Sequence, residues 1–292
     1  MTRTCILHAA LALTACESIS ISARPPPAPS PPSVSDTQSK AEGATIPIDA
    51  ELVAERIAPK TYVVTHTAFF DSNVLVAIMP DGTLVLCSSP YETEGTRALL
   101  RWLRVTFKPP RIIAINTHVH FDGTGGNEAY LEDHVEVYSS DATAKLVQER
   151  GESMRRETRN LITDQRRRDR VDKMRIASAD HIFPEATGLE LTLGGETLKV
   201  FYPGAAHSKD NIVVYFPKRR VLFGGCMVKA GHSIGYTGDA DLANWEPAIR
   251  AVQKFAPDSQ IVIPGHGAPA GPELLENTIR VVRSVRDDTK QR

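Results

Sequence analysis

The sequence predicts an α/β fold in which two β-sheets pack together with helices on their outer faces. Strand-like runs come in two groups, each followed by helical segments. Hydrophobic residues make up 41% and charged residues 24%, values of a chain with a core rather than a wholly disordered one. The 292 residues suit one large domain or two small ones. The balance of 34 Lys+Arg against 35 Asp+Glu gives no global reason to expect a nucleic-acid partner. No apolar run reaches the roughly eighteen residues that a membrane-spanning helix needs. Four cysteines are too few for a disulfide-built scaffold.

Residues 1–16 have the layout of a secretory signal, with Arg3 as the basic end and Ile6 to Leu13 as a short apolar stretch. The segment ends Leu13-Thr14-Ala15-Cys16, which resembles a bacterial lipobox; the alternative is an ordinary signal with a chance cysteine. The expected division is a signal peptide over 1–15, a lipid-anchored Cys16 with a linker over 16–44, and a folded domain over 45–292. Glu17 after the cysteine favours the periplasmic face of the outer membrane. Residues 24–33 hold six prolines, which lack the amide donor and fix φ, so this stretch reads as an extended spacer.

In the domain, 61–65 and 74–79 are β-branched runs, the second turning through Pro80-Asp81-Gly82 into 83–87. Residues 94–104 place Leu99, Leu100 and Leu103 on one helical face, and 111–115 form a short buried strand. Residues 141–175 read as long, helical and arginine-rich. Strand-like runs return at 189–193, 197–202, 212–216, 221–223 and 261–263, and 271–288 form a closing helix with Pro272 near its first turn. Cys87 ends an apolar strand and reads as a small buried hydrophobe; a Cys87–Cys226 disulfide is the weaker reading.

After the 111–115 strand comes Asn116-Thr117-His118-Val119-His120-Phe121-Asp122-Gly123. Alternate residues leaving a strand can point the same way, so one segment can supply His118, His120 and Asp122 as metal ligands. His207, Cys226 and His266 follow, each in a glycine-bearing loop at a strand end. Glycine tolerates positive φ and close backbone approach, which a crowded site needs. A lone histidine is usually a satisfied surface or core residue; four placements with one pattern are not a chance event.

The ordered set HxHxD, GxxHS, GGC and PGHG resembles the metallo-β-lactamases of subclass B1, from about Tyr62 to the C-terminus. Glyoxalase-like relatives continue the first motif as HxHxDH and use a bridging aspartate where this chain carries Cys226; here Gly123 follows Asp122. The subclass with asparagine as first ligand is excluded, because His118 holds that place. Within B1 the segments YVVT, SNVLVA, NTHVHFDGTGGNE and LFGGCMVK are most similar to the São Paulo type. The resemblance implies an αβ/βα sandwich with two central mixed sheets and the site at their edges.

It also implies two Zn²⁺ ions, the first on His118, His120 and His207 and the second on Asp122, Cys226 and His266. Three neutral imidazoles leave zinc its full charge and an open position, and water held there ionises near neutral pH. The implied reaction is hydrolysis of the β-lactam amide of penicillins, cephalosporins and carbapenems, with Asp122 orienting the nucleophile. Lys229 pairs with the antibiotic's carboxylate in the family; otherwise it is a solvated surface lysine. Tyr236 stands where many relatives have asparagine, and its role stays open. Ser208, Asp210 and Asn211 are expected to order the loop around His207. Phe69 and Phe70 lie in the segment that forms a mobile hairpin over the substrate in the family, or they are core residues. The stretch 149–175 holds ten Lys/Arg and six Asp/Glu, interleaved as in a solvated helix; the likeness to the São Paulo type implies that it is an extended helix beside the active site, shaping substrate access. Two rival functions are another hydrolase on the same scaffold, acting on a lactone, thioester or phosphoester, and a non-catalytic zinc-binding lipoprotein. A monomer without nucleic acid, touching the membrane only through Cys16, is the default.

Overall fold

The computed structural model describes residues 43–290. The signal segment, Cys16 and the proline run lie outside the described residues. Eight strands form the first sheet in sequence order: β1 (Thr45–Pro47), β2 (Leu52–Ala58), β3 (Thr61–His66), β4 (Ser72–Ile78), β5 (Leu84–Cys87), β6 (Ile112–Ile115), β7 (Glu136–Ser140) and β8 (His181–Phe183). The meander from β1 to β5 is antiparallel, and β5 to β8 run parallel. Parallel neighbours need crossovers. These are α1 (Thr93–Phe107), then α2 (Phe121–Thr124) with α3 (Asn127–Glu132), then α4 (Asp141–Leu161) with α5 (Gln165–Lys173).

The second sheet has the order β13-β12-β11-β10-β9. Its strands are β9 (Leu189–Leu193), β10 (Glu196–Phe201), β11 (Val213–Phe216), β12 (Val221–Gly225) and β13 (Ile261–Pro264). Only β12 and β13 are parallel in it, joined by α6 (Trp245–Phe255), and α7 (Glu273–Lys290) closes the fold.

The period-2 alternation of strand side chains divides the core into layers. Val63, Leu75, Val85 and Ile113 of the first sheet meet Leu198, Val214, Phe216 and Phe223 of the second between the sheets. Tyr62, Val64, Val74 and Leu86 face outward onto Leu99, Trp102 and Leu103 of α1. Val213, Tyr215 and Leu222 face the other way, onto Trp245 and Ile249 of α6 and Ile279 and Val282 of α7. The arrangement is helix, sheet, sheet, helix. With both faces covered, β4 is buried from Ser72 to Ala77, which is why it reads as a continuous apolar run. Helix α1 starts where the Glu92 side chain accepts from the amides of Glu94 and Gly95, and it stops at the left-handed Lys108 before two prolines.

Four features differ from the sequence reading. Strands β1, β2, β7 and β8 and helices α2, α3 and α6 were not expected. β2 carries Glu55 and Arg56 at half-buried positions, and β7 is five residues with two serines, so neither shows an apolar run. Phe69 and Phe70 lie in the connection between β3 and β4. The 141–175 stretch is two helices, not one: Ile162 turns extended and Asp164 caps α5 by accepting from Arg167 N at 2.9 Å. It is also more than a solvated helix. Val147, Met154, Ile162, Val171 and Met174 pack on Val119 and Phe121, the residues that flank His120. Cys87 and Cys226 are both free and buried, so the disulfide is absent and Cys87 is a core residue.

Candidate metal centre

His118, His120 and Asp122 follow β6, His207 follows β10, Cys226 follows β12 and His266 follows β13, so all six donors leave the C-terminal ends of strands. The HxHxD loop is tied down from within. Asn116 Nδ2 donates to Gly123 O and to Asn127 Oδ1, both at 2.8 Å, and Thr124 Oγ1 donates to Val119 O at 2.9 Å. A Cβ on Gly123 would stand 2.3 Å from His118 O, so this tight turn excludes any side chain. Thr117 O accepts from Ile212 N at 2.9 Å, which ties the loop to the second sheet. Ser208 N donates to Asn211 Oδ1, and Ser208 Oγ and Thr143 Oγ1 both donate to Asp210, each at 2.7 Å; these three residues order the His207 loop. Asn73 of β4 donates to Pro264 O at 2.9 Å and Gly267 O at 2.7 Å, holding the His266 turn from the opposite sheet. Gly265 lies so close to Cys226 that a Cβ there would meet Sγ at 2.3 Å.

The three imidazoles of His118, His120 and His207 form a triangle with ring centroids 4.9 to 5.4 Å apart. His120 Nδ1 lies 3.1 Å from His207 Nε2. Beside them, Cys226 Sγ is 2.6 Å from Asp122 Oδ2 and 3.3 Å from His266 Nε2, which is itself 3.3 Å from Asp122 Oδ2. Ligand atoms of Asp122, Cys226 and His266 all lie within 4.8 Å of one another, as do those of His118, His120 and Asp122 and those of His118, His207 and Cys226. The structure thus brings together all six residues that the sequence singled out as ligands.

The electrostatics fit a cation. Burial alone would raise the Asp122 carboxyl, but the His118 and His266 imidazoles beside it hold it well below the usual carboxylate range. Burial and Asp122 raise the Cys226 thiol, yet His266 and His118 bring it below its ordinary value. Burial opposes charge on His266, but the Cys226 and Asp122 anions push it up to about 11. His207 goes the other way: burial, with Lys229 and the two neighbouring imidazoles, keeps it neutral with a free lone pair. Two anionic donors 2.6 Å apart need a proton or a metal cation between them. His118 Nε2 and His207 Nδ1 are buried with no hydrogen-bond partner among the described residues. Four histidines, a thiolate and a carboxylate are donors of the kind that zinc takes.

His120, Asp122, His207 and His266 line a cleft of about 360 Å³, with His118 and Cys226 buried beneath them. Lys229 lines it and is 8% exposed, so it is not the solvated surface lysine of the alternative reading. Its Nζ lies 5.3 Å from the Trp245 ring centroid, and burial lowers its pKa against the pull of Cys226 and Asp122. Its backbone is pinned to α7: its amide donates to Thr278 Oγ1 at 2.8 Å, and its carbonyl accepts from Asn277 Nδ2 at 2.7 Å. Tyr236 is half-exposed in the cleft wall, its ring edge-on to His120 at 5.5 Å. The two phenylalanines divide their roles: Phe69 packs with the α4–α5 cluster, whereas Phe70 is exposed in the cleft.

Sequence reasoning missed the rest of the cleft. Tyr91, and Met154, Glu157, Thr158 and Leu161 of α4, line it, and Asp239 lies behind His120 with its Oδ2 2.8 Å from Nε2. Asp239 stands three residues after Tyr236 in a segment already singled out, which was the one available signal. For α4 the resemblance had indicated a helix beside the active site, but the spacing of its individual residues is that of any charged helix and did not single out which of them line the cleft.

Two facing mixed sheets, flanked by helices and carrying a histidine-rich donor cluster at their strand ends, define a metallohydrolase. The chain belongs to the metallo-beta-lactamase superfamily, whose family model matches residues 82–266, and it is a hydrolase of that family. A metallo-beta-lactamase type 2 from Bacteroides fragilis is 29% identical over 208 residues, 70% of this chain and 73% of that protein. Among solved structures, a metallo-beta-lactamase from Pontibacter korlensis superposes with a TM-score of 0.67 at 30% identity, covering 80% of this chain and 99% of that one. The metallo-beta-lactamase FIM-1 from Pseudomonas aeruginosa, in its mono-zinc form, gives a TM-score of 0.67 at 26% identity, covering 82% and 98%.

Proposed function

We propose that the chain is a dizinc β-lactamase of subclass B1, hydrolysing the β-lactam amide of penicillins, cephalosporins and carbapenems. One observation carries the reading: a three-histidine triangle and an Asp122–Cys226–His266 trio lie side by side and both open into one cleft, with the Lys229 side chain in the same cleft. His118, His120 and His207 would hold one ion, and Asp122, Cys226 and His266 the other. When bound, zinc supplies a Lewis acid and a water acidic enough to act as nucleophile near neutral pH. Asp122, at the junction of the two sets, orients the attacking water. Lys229 binds the substrate carboxylate, an attraction strengthened by the lower dielectric of a partly desolvated cleft. The Tyr236 ring bounds the cleft on the His120 side. The particular likeness to the São Paulo type rests on the sequence segments, and the periplasmic, Cys16-anchored address rests on the first 44 residues.

The test is imipenem hydrolysis by the purified protein with zinc and then with EDTA. Zinc-dependent loss of the β-lactam absorbance is expected. No turnover with two zincs bound, together with good turnover of a lactone, thioester or phosphoester, would move the assignment to another hydrolase of the superfamily. No turnover of any of these substrates would leave a zinc-binding protein. For the address, Cys16→Ser is expected to release a soluble periplasmic form; a variant that stays with the membrane fraction overturns the anchor.

A further inference from the structure

We propose that Arg150 of α4 is a positioning residue for the three-histidine site, acting through Asp239 on His120. The inference rests on the reading of His120 as a metal ligand. Arg150 meets the Asp239 carboxylate with both arms of its guanidinium, Nη1 to Oδ1 at 2.7 Å and Nη2 to Oδ2 at 3.2 Å. Asp239 Oδ2 accepts in turn from His120 Nε2 at 2.8 Å. With the proton held on Nε2, the lone pair of His120 is on Nδ1, the nitrogen that faces His207. The tautomer and the ring orientation of this ligand are therefore set by where the Asp239 carboxylate sits.

Asp239 cannot set that position alone. It lies in the stretch between β12 and α6, which has no helix or strand of its own. Arg150 comes from a 21-residue helix that is fixed to the metal loop by a separate contact. Met154, one turn further along α4, packs in one cluster with Val119 and Phe121, the two neighbours of His120. The same loop is thus held twice by α4, once by apolar packing on either side of His120 and once through the Arg150–Asp239 fork behind its ring. The fork is unlike the exposed pairs of the same helix. Asp239 is 16% exposed and Arg150 33%, whereas Lys145 and Glu149 approach only to 3.8 Å at 72% and 55% exposure. A lysine at 150 would bring the charge without the planar fork.

Two consequences of losing Arg150 have opposite signs, which makes the proposal decidable. A carboxylate freed of its arginine would pull harder on the Nε2 proton and make Nδ1 a stronger donor. A carboxylate freed to rotate would let the ring turn and the tautomer exchange, and the site would weaken. The proposal states that the second effect prevails.

The experiment titrates EDTA-stripped protein with cobalt(II). Ligand-field absorption reports the three-histidine site, and the thiolate-to-cobalt charge-transfer band reports Cys226. Arg150→Gln is expected to weaken the three-histidine site by about tenfold, with the Cys226 band unchanged. Arg150→Lys also weakens it, because the fork is lost though the charge remains. Arg150→Gln combined with Asp239→Asn is no weaker than Asp239→Asn alone, because the arginine acts only through the carboxylate. Lys145→Gln, on the same helix, binds as the parent does. Parent-like or tighter binding by Arg150→Gln, additive losses in the double variant, or an equal loss in Lys145→Gln would each overturn the proposal. If Arg150→Gln does not fold, Arg150→Lys against Asp239→Asn makes the same comparison, and parent-like binding by Arg150→Lys overturns it. A parent protein that shows no ligand-field bands refutes the metal-centre reading itself, before any variant is compared.

Discussion

Replacing Arg170 with methionine would remove one guanidinium and leave a buried carboxylate behind. Arg170, on α5, is 17% exposed and donates to Glu51 Oε2 at 2.6 Å and to Glu92 Oε1. Its guanidinium also sits 5.5 Å over the Phe69 ring. Glu92 is 1% exposed, and its two oxygens already accept the first-turn amides of α1 at 2.7 Å each. Removing one partner of a buried ion pair costs about 3–5 kcal/mol, because the other charge stays desolvated. The two amide bonds and the α1 dipole continue to stabilise Glu92, which places the loss at the lower end, about 3 kcal/mol. Methionine keeps most of the aliphatic packing on Phe69, so little of that figure comes from lost contact. For a domain of this size the loss corresponds to a fall in Tm of about 6–12 °C. Thermal and urea denaturation of the metal-free protein would measure it. The control is Arg104→Met, whose 2.6 Å pair with Asp133 is 43% and 35% exposed and should be worth less than about 1 kcal/mol. Equal losses in the two variants, or a loss under about 1 kcal/mol at Arg170, would refute the argument that burial of Glu92 sets the magnitude.

Lys229→Met should raise KM for a carboxylate-bearing β-lactam by about 10- to 100-fold with kcat little changed, since a charge-assisted bond is worth about 1.5–3 kcal/mol; steady-state kinetics with an equal fall in kcat and unchanged KM would contradict the binding role. Cys226→Ser should weaken the second site by more than the roughly 10- to 100-fold that outer-sphere changes cost, with a smaller effect on folding. Metal analysis after dialysis against graded chelator checks this, and undiminished zinc content with full activity would exclude Cys226 as a ligand. His66 is fully buried, and burial, opposed by the nearby Glu92, lowers its pKa from 6.5 to about 4. The unfolded chain then binds the extra proton between those values. The stability from a neutral His66 is therefore complete above pH 6.5 and is lost as the pH falls toward 4, to a total of about 3 kcal/mol. Urea midpoints from pH 7 to 4.5 should fall more steeply in the parent than in His66→Gln, and parallel curves would show that another group governs the acid limb.

Most of the donor set was legible because each part of it is a local pattern. His118, His120 and Asp122 are two residues apart after an apolar strand, and the backbone geometry of a strand end makes that spacing converge. His207, Cys226 and His266 each follow a strand and a glycine, and the strands that carry them were visible as apolar runs. Lys229 was singled out by the resemblance, which places a lysine three residues after the cysteine. The same reasoning located α1, β4, β5, β6 and the second sheet, where β11 and β12 are buried on both faces and read as continuous hydrophobic stretches and β9 and β10 read by their alternation.

The remainder depended on which side chains meet across the fold. Arg150 reaches Asp239 across 89 positions of sequence, Arg170 reaches Glu92 across 78 and Asn73 reaches Pro264 across 191, and no periodicity encodes such a partner. Strands β1, β2, β7 and β8 stayed hidden because they are short or carry charged and polar residues at half-buried positions, which erases the alternation that marks a strand. The α4–α5 stretch looked like a solvated helix because its charges outnumber the few apolar residues, and only packing shows that those few close over the loop carrying His120. The sequence by itself determined the buried apolar strands and the candidate donors, since these follow from backbone stereochemistry and residue type over a few positions. The tertiary structure decided what holds the donors in place and what lines the cleft, since those contacts exist only once distant elements have been brought together by burial of the core.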